Sequence, residues 1–136
     1  LMPQRFMNLS GKVIGRCAKR WNFSPKDLLV VVDDLHLPLG QLRIRPEGSD
    51  GGQKGLRSLI ETLGTERFPR LRVGIAPARL TGSWEAFVLH SFARREEPLV
   101  KEVVAKAIAC CRLWIEEGTE VCMNRFNRKG LLDGTL

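Results

Sequence analysis

Two periods organise the apolar positions of this 136-residue chain. One is the three-to-four-residue spacing of helices and the other the two-residue spacing of strands. Val13, Ile14, Cys17 and Ala18 follow Asn8-Leu9-Ser10 at helical spacing, so a helix is predicted there, capped by Asn8 or Ser10 and stopping near Trp21 to Phe23. Ser24-Pro25-Lys26-Asp27 reads as a turn. Leu28-Leu29-Val30-Val31-Val32 is a continuous apolar run, predicted to be a strand buried on both faces and ending at Asp33-Asp34. From Leu39 to Arg45 the pattern alternates, with Leu42 and Ile44 on one side and Leu39, Gln41, Arg43 and Arg45 on the other: a half-exposed strand with a basic face.

A loop with Gly48, Gly51, Gly52 and Gly55 leads into a predicted helix, Leu56 to Leu63, closed by Gly64. Leu71 to Ile75 is a further strand, Ala76 to Ser83 a loop, and Trp84 to Leu89 fits either period. Leu99, Val100, Val103, Val104, Ala107, Cys110, Cys111 and Trp114 mark a long amphipathic helix from Pro98, ended by Gly118. A short helix, Glu120 to Phe126, follows, and the tail 128–136 is expected to fray. Alternating helices and strands without repeats predict one α/β domain over 1–127, three-layered, with a mixed twisted sheet and helices on both faces.

Composition narrows the partners. There are 22 basic and 15 acidic residues, a net charge of +7, and the positive charge is mostly arginine, 15 against 7 lysines. Guanidinium groups suit phosphate, so RNA or another polyanion is a fitting partner, although a solvated basic surface has the same composition. No apolar run has the length of a membrane span. Cys17, Cys110, Cys111 and Cys122 form neither a metal knuckle nor a spaced disulfide framework, which favours a reducing compartment and no metal.

Three stretches carry the chemistry: Met7-Asn8-Leu9-Ser10-Gly11, then Val32-Asp33-Asp34-Leu35-His36-Leu37-Pro38-Leu39-Gly40, then Gly48-Ser49-Asp50-Gly51-Gly52-Gln53-Lys54-Gly55-Leu56-Arg57-Ser58. With Phe68-Pro69-Arg70-Leu71-Arg72-Val73-Gly74-Ile75 they stand in the order and spacing of the bacterial-type peptidyl-tRNA hydrolases, which the chain resembles from residue 1 to about 127. The resemblance implies hydrolysis of the ester between a peptide and the terminal ribose of tRNA, recycling tRNA in translation without metal or cofactor. It implies a cytoplasmic protein if bacterial, or one of an organelle matrix, mitochondrial or chloroplast.

Ester hydrolysis needs a water, a base to take its proton, and donors for the oxyanion. In the family the base is a histidine oriented by an aspartate, and Asp33 matches that aspartate; its plainer role is to cap the following turn. Asn8 matches the asparagine that hydrogen-bonds the peptide, a task suited to an amide with both donor and acceptor. Gly51, Gly52, Gln53 and Lys54 match the substrate-handling Gly-Gly-His-Asn loop, with Gln53 replacing a histidine and Lys54 an asparagine. Arg43, Arg45 and Arg72 match basic positions that lie toward tRNA, and Lys54 and Arg57 flank the loop at a helix start, where amide N–H groups also favour phosphate. Arg125, Arg128 and Lys129 extend the basic set or form a solvated tail.

The family's first strand, with an early asparagine and the catalytic histidine, would precede Leu1, and the two histidines present are His36 and His90. The expectation is therefore an N-terminally incomplete chain, inactive alone, whose bare sheet edge another chain or segment covers. The alternative is a non-catalytic RNA-binding relative on the same scaffold, a ribosome-associated component or a splicing-like factor, which Gln53 and Lys54 favour. A dinucleotide-binding domain fits poorly, because the glycine loop lacks the GxGxxG spacing.

Overall fold

In the computed structural model, which describes residues 9–76 and 96–127, glycines rather than caps decide how the first helix sits. Helix α1 spans Ser10–Trp21. Leu9 stands at its N-cap position with no side-chain bond, so Ser10 is the first helical residue and not the predicted cap. Asn8 lies outside the described residues. Gly11 is buried and its N–H donates to Ser58 Oγ at 2.8 Å. A methyl group at Gly11 would overlap the Ser58 carbonyl oxygen and Thr62 Oγ1, and one at Gly15 would crowd Thr62 Cγ2. The missing side chains let α1 cross α2 (Lys54–Leu63) at backbone distance.

The chain gathers into two compact units, residues 1–32 with 45–70, and residues 33–44 with 71–136. The first is built on Ile14, Leu56, Leu59 and Phe68, against which Phe23, Leu28, Val30, Val32, Ile60 and Leu63 pack. Each such side chain, once buried, contributes roughly 1.5–3 kcal/mol. Helix α2 begins two residues before the predicted Leu56, because Gln53 caps it, and ends at Gly64 in the left-handed region, φ 70°, as predicted.

Strands β1 (Val30–Pro38), β2 (Leu42–Arg45) and β3 (Arg70–Ala76) form a sheet in the order β1-β3-β2. Val30 N–H donates to the Pro69 carbonyl and Leu39 N–H to that of Ala76, both at 3.0 Å, so β1 and β3 run parallel. Gly74 N–H donates to the Gln41 carbonyl, and β2 runs antiparallel to β3. The sheet is mixed, as predicted. Strand limits differ from the sequence reading: β1 starts at Val30 rather than Leu28, and β3 runs one residue further at each end than Leu71–Ile75. The first strand does not end at Asp33-Asp34, because β3 offers partners as far as Ala76 and β1 continues through both aspartates. Nor is it buried on both faces, since Val31 is 50% exposed. The second strand starts at Leu42 rather than Leu39. Gly40 has φ 103° and Gln41 N–H bonds the Pro38 carbonyl, which makes Pro38–Gln41 a tight turn. The predicted alternation holds within β2: Leu42 and Ile44 are buried, Arg43 and Arg45 exposed.

The second unit holds α3 (Glu97–Glu117) and α4 (Thr119–Phe126). Gly118, φ 86°, separates them where the sequence places a stop. Trp114 Nε1 donates to Thr119 Oγ1 at 2.9 Å, and the Cys122 thiol donates to the Cys110 carbonyl at 3.5 Å. These two bonds pin α4 back on α3. The four cysteines are free. Ala76, read as the start of a loop, ends β3; the rest of that predicted loop, the ambiguous Trp84–Leu89 stretch and the tail 128–136 fall outside the described residues.

Candidate functional site

The glycine loop is braced from both sides. Asp50 receives the Gly52 N–H on Oδ1 at 2.7 Å and the Arg57 guanidinium on Oδ2 at 3.2 Å. The first bond closes an Asx turn, and Gly51 and Gly52 follow it in the left-handed region, φ 57° and 84°. Nothing lies within 4 Å of where a Gly52 side chain would project, so the backbone there is open to a ligand. Gln53 Oε1 accepts the Leu56 N–H at 2.8 Å and so caps α2. The Gln53 side chain thus has a local task, while Lys54 and Arg57 are exposed on the first turn of α2.

Beneath the loop lies Arg70, 1% exposed. Its guanidinium donates to the carbonyls of Phe68 at 3.0 Å, Ser49 at 3.0 Å and Glu66 at 2.8 Å, and stacks on the Phe68 ring with 4.5 Å to the centroid. A buried guanidinium is tolerated when its fork of donors is satisfied. Here the fork ties the loop's start to the segment leading into β3. Sequence reasoning missed both Asp50 and Arg70. An aspartate just before Gly-Gly is a visible Asx-turn signal, whereas the contact between residues 49 and 70 has no local signature.

Asp33 lies inside β1, half-buried. Its neighbour Asp34 accepts the His36 N–H on Oδ1 at 2.7 Å and pairs on Oδ2 with Arg72 at 3.7 Å, the two side chains only 10% and 15% exposed. Arg72, grouped above with the RNA contacts, is therefore largely covered. Arg43 and Arg45 project from β2 into solvent. The His36 side chain is also exposed. Among the described residues, no group of three or more His, Cys, Asp or Glu side chains could hold a metal, and no helix is long and apolar enough to cross a membrane.

These segments match known proteins along nearly the whole chain. The peptidyl-tRNA hydrolase family model matches residues 1–133. The peptidyl-tRNA hydrolase of Desulfitobacterium hafniense is 47% identical over 130 residues, which are 94% of this chain and 69% of that one. That of Desulforamulus reducens is 42% identical over 127 residues, 93% of this chain and 61% of the relative. Crystallised peptidyl-tRNA hydrolase from Acinetobacter baumannii superposes with a TM-score of 0.78 at 28% identity, over 90% of this chain and 62% of that one. The chain thus spans between three fifths and seven tenths of the length of these relatives. It is a member of the peptidyl-tRNA hydrolase family.

Proposed function

We propose that the protein acts on peptidyl-tRNA, hydrolysing the ester between the peptide and the tRNA. The observation that carries this reading is the braced glycine loop, with open backbone at Gly51 and Gly52 and cations at Lys54 and Arg57, in a chain whose relatives bear that activity's name. In this reading Asp33 orients the imidazole base that takes the water's proton. Asn8 holds the peptide, and the Gly51–Gln53 backbone lies along the substrate. Arg43, Arg45, Lys54 and Arg57 take phosphate, and Arg72, held by Asp34, fixes the strand beside them. His36 is not assigned the base's role, because it is exposed.

A second reading rests on Gln53. Its acceptor oxygen is engaged in the α2 cap, so it does not stand in for a titrating histidine. That favours RNA binding without turnover by these 136 residues alone. Release of peptide from a short N-blocked aminoacyl-tRNA, measured beside tRNA binding, separates the two. Turnover that falls at least about 100-fold in Asp33→Asn, with tRNA affinity retained, supports the hydrolase. Binding without turnover supports the second reading.

A further inference from the structure

We infer that the outer face of α1 is a second RNA-contact surface, with the phosphate backbone lying along Lys12, Arg16, Lys19 and Arg20 and a nucleoside against Trp21. The inference rests on the tRNA reading above and extends it to a surface that the family motifs do not touch. Gly11, Ile14 and Gly15 form the packing side of α1. At 100° per residue the four cations share one arc of the helix that adjoins that side at Lys19 and turns away from it through Lys12, Arg16 and Arg20, and all four are exposed.

The ridge has no internal compensation. No acid occurs between Ser10 and Lys26. Among the described residues, Arg57, Arg67 and Arg72 have carboxylate partners within 4 Å, whereas the four ridge cations have none. The helix dipole accounts for Lys19 and Arg20 in the last turn, but it opposes Lys12 in the first. Lys12 and Arg16, and again Arg16 and Arg20, are like charges four residues apart, an arrangement that repels within the helix. A polyanion relieves that repulsion, and the i, i+4 cations rise about 6 Å apart along the axis.

Trp21 closes the ridge. It is 61% exposed, and the Arg20 guanidinium carbon lies 5.7 Å from its ring centroid. An exposed indole beside arginine is a stacking platform for a nucleoside. An anionic membrane fits less well, because the apolar side of α1 is already spent in the core. Continuity with the glycine loop is direct. The Gly11–Ser58 bond sets the first turn of α1 against α2, so Lys12 and Arg57 are each one residue from that contact.

The test uses the 136-residue chain and deacylated tRNA, with affinity followed across a series of salt concentrations. Replacing Lys12, Arg16, Lys19 and Arg20 together by Gln is expected to weaken binding at least about tenfold at low salt and to lower the slope of log K against log salt by about two to three. Trp21→Ala is expected to weaken binding about fivefold or more. Wild-type affinity and slope in the fourfold variant overturn the proposal, as does binding to phosphatidylserine vesicles without binding to tRNA. Ester turnover by the wild type that ridge substitution leaves unchanged, at unchanged tRNA affinity, rejects the ridge and keeps the hydrolase. Ridge-dependent tRNA binding keeps the ridge, with or without ester turnover by these residues.

Discussion

The thiol of Cys110 is buried where α4 packs back on α3. Burial, then the neighbouring Cys122 and Cys111, push its pKa from an ordinary 9.0 up to about 12. Burial raises Cys111 and Cys122 in the same direction. The protonated thiol is the neutral form, so the native state holds this proton more tightly than the unfolded chain does. Stability from Cys110 is therefore complete below about pH 9 and is lost as pH rises from 9 toward 12. Urea unfolding across that range is expected to show a falling stability whose slope is smaller in Cys110→Ala, whatever the variant's absolute stability, with Cys111 and Cys122 supplying the remainder. An undiminished slope in the variant removes this account. At this scale the sequence was informative about type and poor about partners. Cys110 was legible as part of the apolar stripe of a long helix and Asp33 as a candidate orienting carboxylate. The Asp34–Arg72 pair and the Arg70–Ser49 bond were hidden, because each joins residues more than 20 positions apart.

Element ends obey the same division. Gly64 and Gly118 were legible as helix stops because a left-handed residue is a local demand that glycine meets cheaply. The start of α2 was not, since glutamine is an uncommon cap and Gln53 was legible only as a departure from a substrate loop. Its Oε1 satisfies the Leu56 N–H, one of the amides that the first turn leaves without a helical partner. Gln53→Ala is expected to cost about 1 kcal/mol in urea unfolding. Gln53→Asn should recover part of that loss, because asparagine caps well. Equal stability in the wild type and Gln53→Ala would show that the bond is idle in solution. The strands were misjudged at both ends for one reason: apolar runs mark what is buried, but the ladder with β3 decides how far β1 extends. The Gly40 turn, not hydrophobicity, delays β2.

Across the whole molecule, α/β class and mixed sheet were legible from alternating periods, while the order β1-β3-β2 came from no local pattern. Among the described residues that order leaves β2 at an edge of the sheet, where unpaired backbone groups invite another strand. Asn127, just past α4, meets this need from 83 residues away. Its Oδ1 accepts the Ile44 N–H at 2.7 Å and its Nδ2 donates to the Ile44 carbonyl at 2.9 Å. One side-chain amide thereby takes the place of a neighbouring strand at a residue that is 0% exposed. Asn127→Ala leaves two buried backbone groups without these bonds, at a cost of about 1–3 kcal/mol for each that water does not reach. Asn127→Asp keeps the acceptor, loses the donor and sets a carboxylate against the Ile44 carbonyl, so it should fail to rescue. Urea unfolding should place both variants at least about 2 kcal/mol below the wild type. Size-exclusion chromatography should show the Ala variant self-associating as concentration rises. Full stability and a single monomeric peak for Asn127→Ala would mean that water closes this edge as well as the amide does.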